Sequence, residues 1–111
     1  MNPGLLFLHA VAWAAVRLQT PLRAKRTADF VGRQMRPFRT LAEARDAANA
    51  LDGRGTCLTR ALAVAARLDG GEVVIGVDAL APFAAHAWVE LAGTPIRSED
   101  AHGREVARLT G

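Results

Sequence analysis

The spacing of apolar residues changes at Asp69-Gly70-Gly71, and this change constrains the fold more than any other feature of the chain. Before it, apolar residues recur every three to four positions, which is typical of helices packed along one face. After it come short runs rich in β-branched residues, beginning with Glu72–Val77, which indicate strands. Helices followed by strands predict an α+β domain with a small antiparallel sheet.

Proline and glycine divide the helical half of the chain. We predict helices over residues 4–19, 22–35, 41–52 and 57–68, the third capped by Thr40 in the capping-box pattern Thr40-Leu41-Ala42-Glu43. Strands are predicted over 72–77, 85–91 and 94–98, with a loop at 78–84 and a short helix around 105–109. We expect one domain over 1–111, with a basic helical front (1–38) and a core (39–111).

Composition bears on three properties of the protein: its cellular compartment, its cofactors and its contact with membranes. A single cysteine excludes an internal disulfide, so we expect an intracellular, cytoplasmic protein. Three scattered histidines give no metal-binding spacing, and no cofactor or metal is expected. The apolar segment Leu5–Val16 is shorter than the ~20 residues that span a bilayer, so it predicts a largely buried helix, and membrane contact is not expected.

Charge is spread unevenly along the chain. Residues 1–40 carry a net charge of +6, whereas residues 41–111 carry −3. The basic stretch Arg23-Ala24-Lys25-Arg26 could bind a phosphate or an acidic partner, although a solvated helix face is its simplest interpretation. Without a recognition motif or interleaved aromatic residues, no nucleic-acid partner is expected.

Cys57 stands where the glycine-rich segment Gly53-Arg54-Gly55 meets the fourth helical pattern. Thr56 is predicted as the N-cap, which makes Cys57 about the first helical residue. Free backbone N–H groups and the helix dipole favour negative charge there, which suits a thiolate nucleophile. The alternative is a small, buried and inert hydrophobic residue.

One histidine lies in the predicted strand Ala85–Leu91. On such a strand the side chains of His86, Trp88 and Glu90 share one face, and those of Ala87, Val89 and Leu91 share the other. We expect the second set to face the core and the first to present His86 to the helix that carries Cys57. A cysteine with a distant histidine that takes its proton is typical of cysteine-nucleophile enzymes.

An acidic residue is expected beside His86. A two-residue turn at Ala92-Gly93 would place Glu99 opposite His86, and a three-residue turn would place Asp100 there, with side chains ~5 Å apart. Glu90 shares the His86 face but lies farther along the strand. Glu99 and Asp100 both stay open as the third residue, and each could equally be an ordinary surface carboxylate.

Three motifs occur in one order: Cys57-Leu58-Thr59-Arg60-Ala61-Leu62-Ala63, Val74-Ile75-Gly76-Val77, and Ala85-His86-Ala87-Trp88-Val89-Glu90 followed by Gly93. Through them, residues 40–100 resemble the lasso-peptide leader peptidases, which are small transglutaminase-like (papain-like) cysteine proteases. The resemblance implies that fold, with Cys57 as nucleophile at a helix N-terminus and His86 as general base. A gapless match places the family's acid at Ser98, which is not acidic, so Glu99 and Asp100 remain the candidates.

The resemblance also implies an activity and partners. The activity would be hydrolysis of a lasso-peptide precursor between leader and core through an acyl-enzyme. The partners would be that precursor, a separate leader-recognition protein and an ATP-dependent lasso cyclase. Two other functions stay open: a transglutaminase-like acyltransferase or amidase, and a non-catalytic helical interaction module with an inert Cys57.

Overall fold

A computed structural model describes residues 2–78 and 85–110 of the chain. Its helices are α1 (Pro3–Leu18), α2 (Pro21–Gly32), α3 (Leu41–Leu51) and α4 (Cys57–Ala65). Its strands are β1 (Gly71–Val77), β2 (Ala85–Leu91), β3 (Thr94–Pro95) and β4 (Arg104–Leu109), with a 3₁₀ turn at Ser98–Asp100. The α+β class is confirmed, and most of the predicted 78–84 loop lies outside the described residues.

Each helix begins at a polar residue whose side chain accepts a hydrogen bond from the first turn. Asn2, Thr20, Thr40 and Thr56 play this part for α1 to α4 in turn. The predicted caps at Thr40 and Thr56 are therefore confirmed. The predicted C-terminal ends of α2 and α4 lie a few residues too far along, because the chain turns after Gly32 and Ala65.

The four strands form one antiparallel sheet in the order β3-β2-β1-β4. Ala92 and Gly93 both have positive φ, 53° and 82°, as a tight two-residue hairpin turn requires. Leu91 pairs with Thr94, so the predicted two-residue turn is confirmed. The pairing ends at Glu90 and Pro95, and the prediction of a strand as far as Ser98 is wrong.

The predicted helix around residues 105–109 is also wrong, because Arg104–Leu109 forms β4. It pairs antiparallel with β1, with Val73 opposite Leu109 and Val77 opposite Arg104. Leu109 is buried beside the core. The segment forms a strand because it can hydrogen-bond to the edge of β1 and bury Leu109. Its own helical pattern is too weak to outweigh these contacts.

The core lies between the helices and one face of the sheet. Its fully buried side chains include Leu8 of α1, Leu51 of α3, Leu62 of α4 and Val73 of β1. Helix α4 packs against α1, α2, α3, β1 and β2. The residue that begins α4 is therefore held at a fixed position relative to the sheet.

Helix α1 is buried on the predicted stripe, at Leu5, Leu8, Ala12 and Ala15. Its opposite side exposes Phe7, Trp13 and Leu18. Within residues 2–78 and 85–110, the helices are too short or too polar to traverse a bilayer.

Candidate active site

Cys57 is the first residue of α4, as predicted, and its side chain is half-buried. The Thr56 side chain accepts the Thr59 N–H, and the Thr59 side chain accepts the Thr56 N–H, so a full capping box surrounds the cysteine. The backbone N–H groups of the first helical turn have no acceptor within the helix. One of them, the Thr59 N–H, is taken by Thr56 Oγ1, and the partial positive charge of the helix start favours a thiolate at Cys57.

Cys57 lines a narrow cleft of about 40 Å³ between α4, β2 and the segment after β3. The other described residues of this cleft are Ala48, Arg60, Ala61, Val64, Ala87, Trp88, Val89, Ile96, Arg97 and Asp100. The helices and β2 contribute mostly apolar walls. Arg97 and Asp100 place a charged pair in the same cleft as the thiol.

Asp100 is held in this cleft by Arg97. The Arg97 Nε and Nη2 atoms donate to the two carboxylate oxygens of Asp100 at 2.6 and 2.9 Å. The same guanidinium binds Asp52, at 3.1 Å to each oxygen, and the Asn49 side chain at 2.8 Å. Arg97 thereby ties the C-terminal end of α3 to the 3₁₀ turn.

These hydrogen bonds shift the pKa values of Arg97 and Asp52. Hydrogen bonds to Asp100 and Asp52 raise the pKa of Arg97, and the hydrogen bond from Arg97 lowers the pKa of Asp52. Glu99 is exposed and is not among the cleft residues. Of the two predicted acids, Asp100 lies in the cleft that Cys57 lines.

The predicted opposition of His86 and Glu99 does not form, because β3 pairs only with Glu90 and Leu91 of β2. Beyond Pro95, the Ile96 N–H donates to the Val89 carbonyl at 3.1 Å, and the chain then turns at residues 98–100. Burial of Ile96, which is 3% exposed, fixes the point at which the chain leaves the hairpin.

His86 is half-buried and lies opposite Gly76 of β1. Its ring contacts the ring of His102, with centroids 3.7 Å apart and planes at 54°. Ala87 and Val89 pack against the helical core, as predicted. The alternation of the strand then puts His86 on the opposite face, away from the body of α4.

The expectation that the His86 face looks toward α4 is therefore wrong for the body of the helix, although Trp88 of that face also lines the Cys57 cleft. A Cβ on Gly76 would lie 2.8 Å from the Trp88 ring and 3.1 Å from the His102 carbonyl, which places all three on the same outer face as His86. The described residues that line the Cys57 cleft do not include His86.

Glu90 takes part in a network on this outer face. It accepts a hydrogen bond from Trp88 Nε1 at 2.9 Å and pairs with Arg108 of β4 at 2.8 Å. Arg108 also binds Glu72 of β1 at 3.2 Å. Glu90 thus links β1, β2 and β4 and stands apart from the cleft.

A family model described as the transglutaminase-like superfamily matches residues 5–110. The chain belongs to the transglutaminase-like superfamily. This superfamily includes cysteine peptidases and acyltransferases, which fits an activity based on a thiol nucleophile at the start of α4. No curated protein and no solved structure matches the chain significantly.

Two residues that support the candidate site, Arg97 and His9, are not among the sequence predictions. Arg97 was not singled out, because its partners Asn49 and Asp52 are far away in sequence. His9 lies within the apolar segment Leu5–Val16, and its Nε2 lies 3.1 Å from Thr59 Oγ1. A signal for His9 did exist, since it falls between Leu5 and Ala12 at helical spacing on the buried side of α1.

Proposed function

We propose that this protein is a cysteine peptidase that removes the leader from a lasso-peptide precursor. The observation that carries the proposal is the placement of Cys57 at the N-terminus of α4, in one cleft with Asp100, in a member of the transglutaminase-like superfamily. The choice of a lasso-peptide precursor as substrate rests on the three sequence motifs that resemble leader peptidases.

The reaction would proceed in two steps. His86 takes the thiol proton, and Cys57 Sγ attacks the carbonyl carbon at the leader–core junction. Backbone N–H groups of the first turn of α4 donate to the resulting oxyanion. The amine of the core peptide leaves with the proton from His86, so the leader stays on Cys57 as a thioester. His86 then takes a proton from water, the hydroxide attacks the thioester, and leader and free thiol are released.

His86 would reach the cleft around the edge of the sheet. β3 covers β2 only at Glu90 and Leu91, so the N-terminal part of β2 lies at this edge, next to the cleft residues Ala87 and Trp88. To act as the base, the imidazole would have to leave His102 and turn toward this edge, where Ala87 and Trp88 meet the Cys57 cleft. Catalytic hydrogen bonds are often long in a free enzyme and shorten only with substrate bound.

Asp100 is the better candidate for the acid that orients the imidazolium. It shares the cleft with Cys57, whereas Glu99 is exposed outside it. Arg97 occupies both carboxylate oxygens, so Asp100 is held rigidly and keeps lone pairs for a further donor.

The proposal includes partners and a setting. A separate leader-recognition protein would deliver the precursor, and an ATP-dependent lasso cyclase would consume the released core. All of these would act in the cytoplasm, where the single thiol stays reduced.

A cleavage assay tests the proposal. A lasso-peptide precursor is incubated with the purified protein, with and without its leader-recognition protein, and the products are weighed by mass spectrometry. We expect leader and core fragments from the wild type and none from His86→Ala. The matched control is His102→Ala, which removes the ring that His86 contacts and should still cleave. Cleavage by His86→Ala at the wild-type rate would contradict the assigned base.

The second candidate, an acyltransferase of the same superfamily, is favoured by the same thiol placement. Adding hydroxylamine to the assay separates the two, because an acyltransferase would give the leader hydroxamate as the main product in place of the leader acid.

A further inference from the structure

The Thr59 hydroxyl, on the third residue of α4, hydrogen-bonds to the backbone of Thr56 on the other side of Cys57. Thr59 is 2% exposed. Its Oγ1 accepts the Thr56 N–H at 3.0 Å and donates to the Thr56 carbonyl, also at 3.0 Å. The residues on both sides of Cys57 are therefore joined through one buried oxygen.

His9 of α1 reaches this oxygen from another element, with Nε2 at 3.1 Å from Thr59 Oγ1. A hydroxyl has one hydrogen and two lone pairs. With the hydrogen donated to the Thr56 carbonyl and one lone pair accepting the Thr56 N–H, the other lone pair suits a donor, so we assign His9 the tautomer that carries its hydrogen on Nε2. Burial, and then the charges of Arg54 and Arg60, lower the pKa of His9, so its ring is a neutral donor near pH 7.

Gly55 leaves the space that this contact needs. A Cβ there would lie 2.5 Å from Thr59 Oγ1 and 2.9 Å from His9 Nε2, and the residue has φ +54°. Arg60 Nη1 donates to the Arg54 carbonyl at 2.8 Å and to the Gly55 carbonyl at 3.3 Å. The segment before Cys57 is thus fixed by α1 through His9 and by α4 through Arg60.

We infer that His9 is a positioning residue for Cys57, acting through Thr59 to hold the thiol and the first-turn N–H groups of α4 in line with the cleft. This inference rests on the proposed function for the reaction that it serves. The hydrogen bond itself is a property of the fold and can be tested without substrate.

Three variants separate the hydrogen bond from the bulk of the side chain. His9→Leu keeps the bulk and removes the donor, His9→Gln restores a terminal N–H donor, and Thr59→Val removes the acceptor. Thermal unfolding first establishes the temperature at which all three are folded.

The substrate-independent measurement is amide hydrogen exchange at Thr59 and Arg60, whose N–H groups bond to Thr56 Oγ1 at 3.2 Å and to the Thr56 carbonyl at 3.1 Å. We expect exchange about fivefold faster in His9→Leu, which corresponds to one ordinary hydrogen bond, and near the wild-type rate in His9→Gln. Equal exchange in His9→Leu and the wild type would overturn the inference.

The second measurement is leader cleavage. We expect kcat about fivefold lower in His9→Leu with KM unchanged, and recovery in His9→Gln. Adding His9→Leu to Thr59→Val should cost nothing further, because Thr59→Val has already removed the acceptor of the His9 bond. Equal loss in His9→Leu and His9→Gln would overturn the inference. A wild type that fails to cleave, with the exchange pattern intact, would instead remove the proposed function and leave the role of His9 in holding this segment.

Discussion

Replacing Gly55 with alanine tests how tightly the segment before Cys57 is built. The residue has a positive φ, +54°, which costs an L-residue about 1–2 kcal/mol. The added Cβ would also lie 2.5 Å from Thr59 Oγ1 and 2.9 Å from His9 Nε2. Relief of this overlap requires the His9–Thr59 hydrogen bond to break, which leaves the half-buried His9 Nε2 without its partner at a further cost of about 1–3 kcal/mol.

Gly53 provides the matched control. It too has a positive φ, +82°, but a Cβ there would meet nothing within 4 Å. Gly53→Ala should therefore show the backbone strain alone, about 1–2 kcal/mol, whereas Gly55→Ala should lose about 2–5 kcal/mol.

Urea unfolding of the two variants measures this difference directly. The excess loss in Gly55→Ala should also lower its midpoint of thermal unfolding by roughly 4 °C or more relative to Gly53→Ala. At a temperature where both are folded, leader cleavage should fall in Gly55→Ala and persist in Gly53→Ala. Equal unfolding free energies and equal cleavage rates in the two variants would show that the His9–Thr59 contact does not hold the segment before Cys57.

Three further predictions concern other parts of the molecule. Asp100→Asn should lower kcat for leader cleavage at least about tenfold, since it removes the carboxylate proposed to orient His86. Glu99→Gln, at the exposed neighbouring position, should cleave at near the wild-type rate. Equal losses of kcat in the two variants would reject Asp100 as the orienting acid. Lys25 and Asp29 form a buried pair at 2.6 Å, so Lys25→Met should destabilise the fold by about 3–5 kcal/mol in urea unfolding. The double variant with Asp29→Leu should recover most of that loss, and no recovery would show that Lys25 acts through packing alone. Because the pKa of His9 is lowered in the folded protein, its contribution to stability is complete above its ordinary value of 6.5 and is lost as pH falls through the lowered value. Thermal unfolding of wild type against His9→Gln should therefore show the wild type losing stability faster below pH 6.5, and parallel pH curves would argue against a neutral, buried His9.

Local signals predicted much of this fold. Thr40 and Thr56 begin their helices because a hydroxyl can accept an N–H that the helix leaves unpaired. The pairing of Leu91 with Thr94 followed from the two-residue turn at Ala92-Gly93. Each of these features depends on residues only a few positions apart.

The wrong predictions concern segments whose structure is determined by contacts between residues far apart in the sequence. β4 forms because β1 offers an open edge and Arg108 pairs with Glu72 and Glu90, none of which a local pattern reveals. The hairpin ends after Pro95 because Ile96 is drawn into the core.

The candidate site divides in the same way. The position of Cys57 at a helix start followed from Thr56, its neighbour. The face of His86 depends instead on which side of β2 the helices cover, and the choice between Glu99 and Asp100 depends on Arg97, Asp52 and the 3₁₀ turn. Alternation along a strand groups residues into faces, but packing alone decides which face is inside.

Intact mass spectrometry of an acid-quenched reaction shows whether Cys57 carries the leader as a thioester. The wild-type protein is mixed with a lasso-peptide precursor and its recognition protein and quenched at short times. We expect a transient species with the mass of the chain plus the leader, attached at Cys57. Cys57→Ala should give neither this species nor free core. Release of leader and core by purified Cys57→Ala would contradict this role of Cys57.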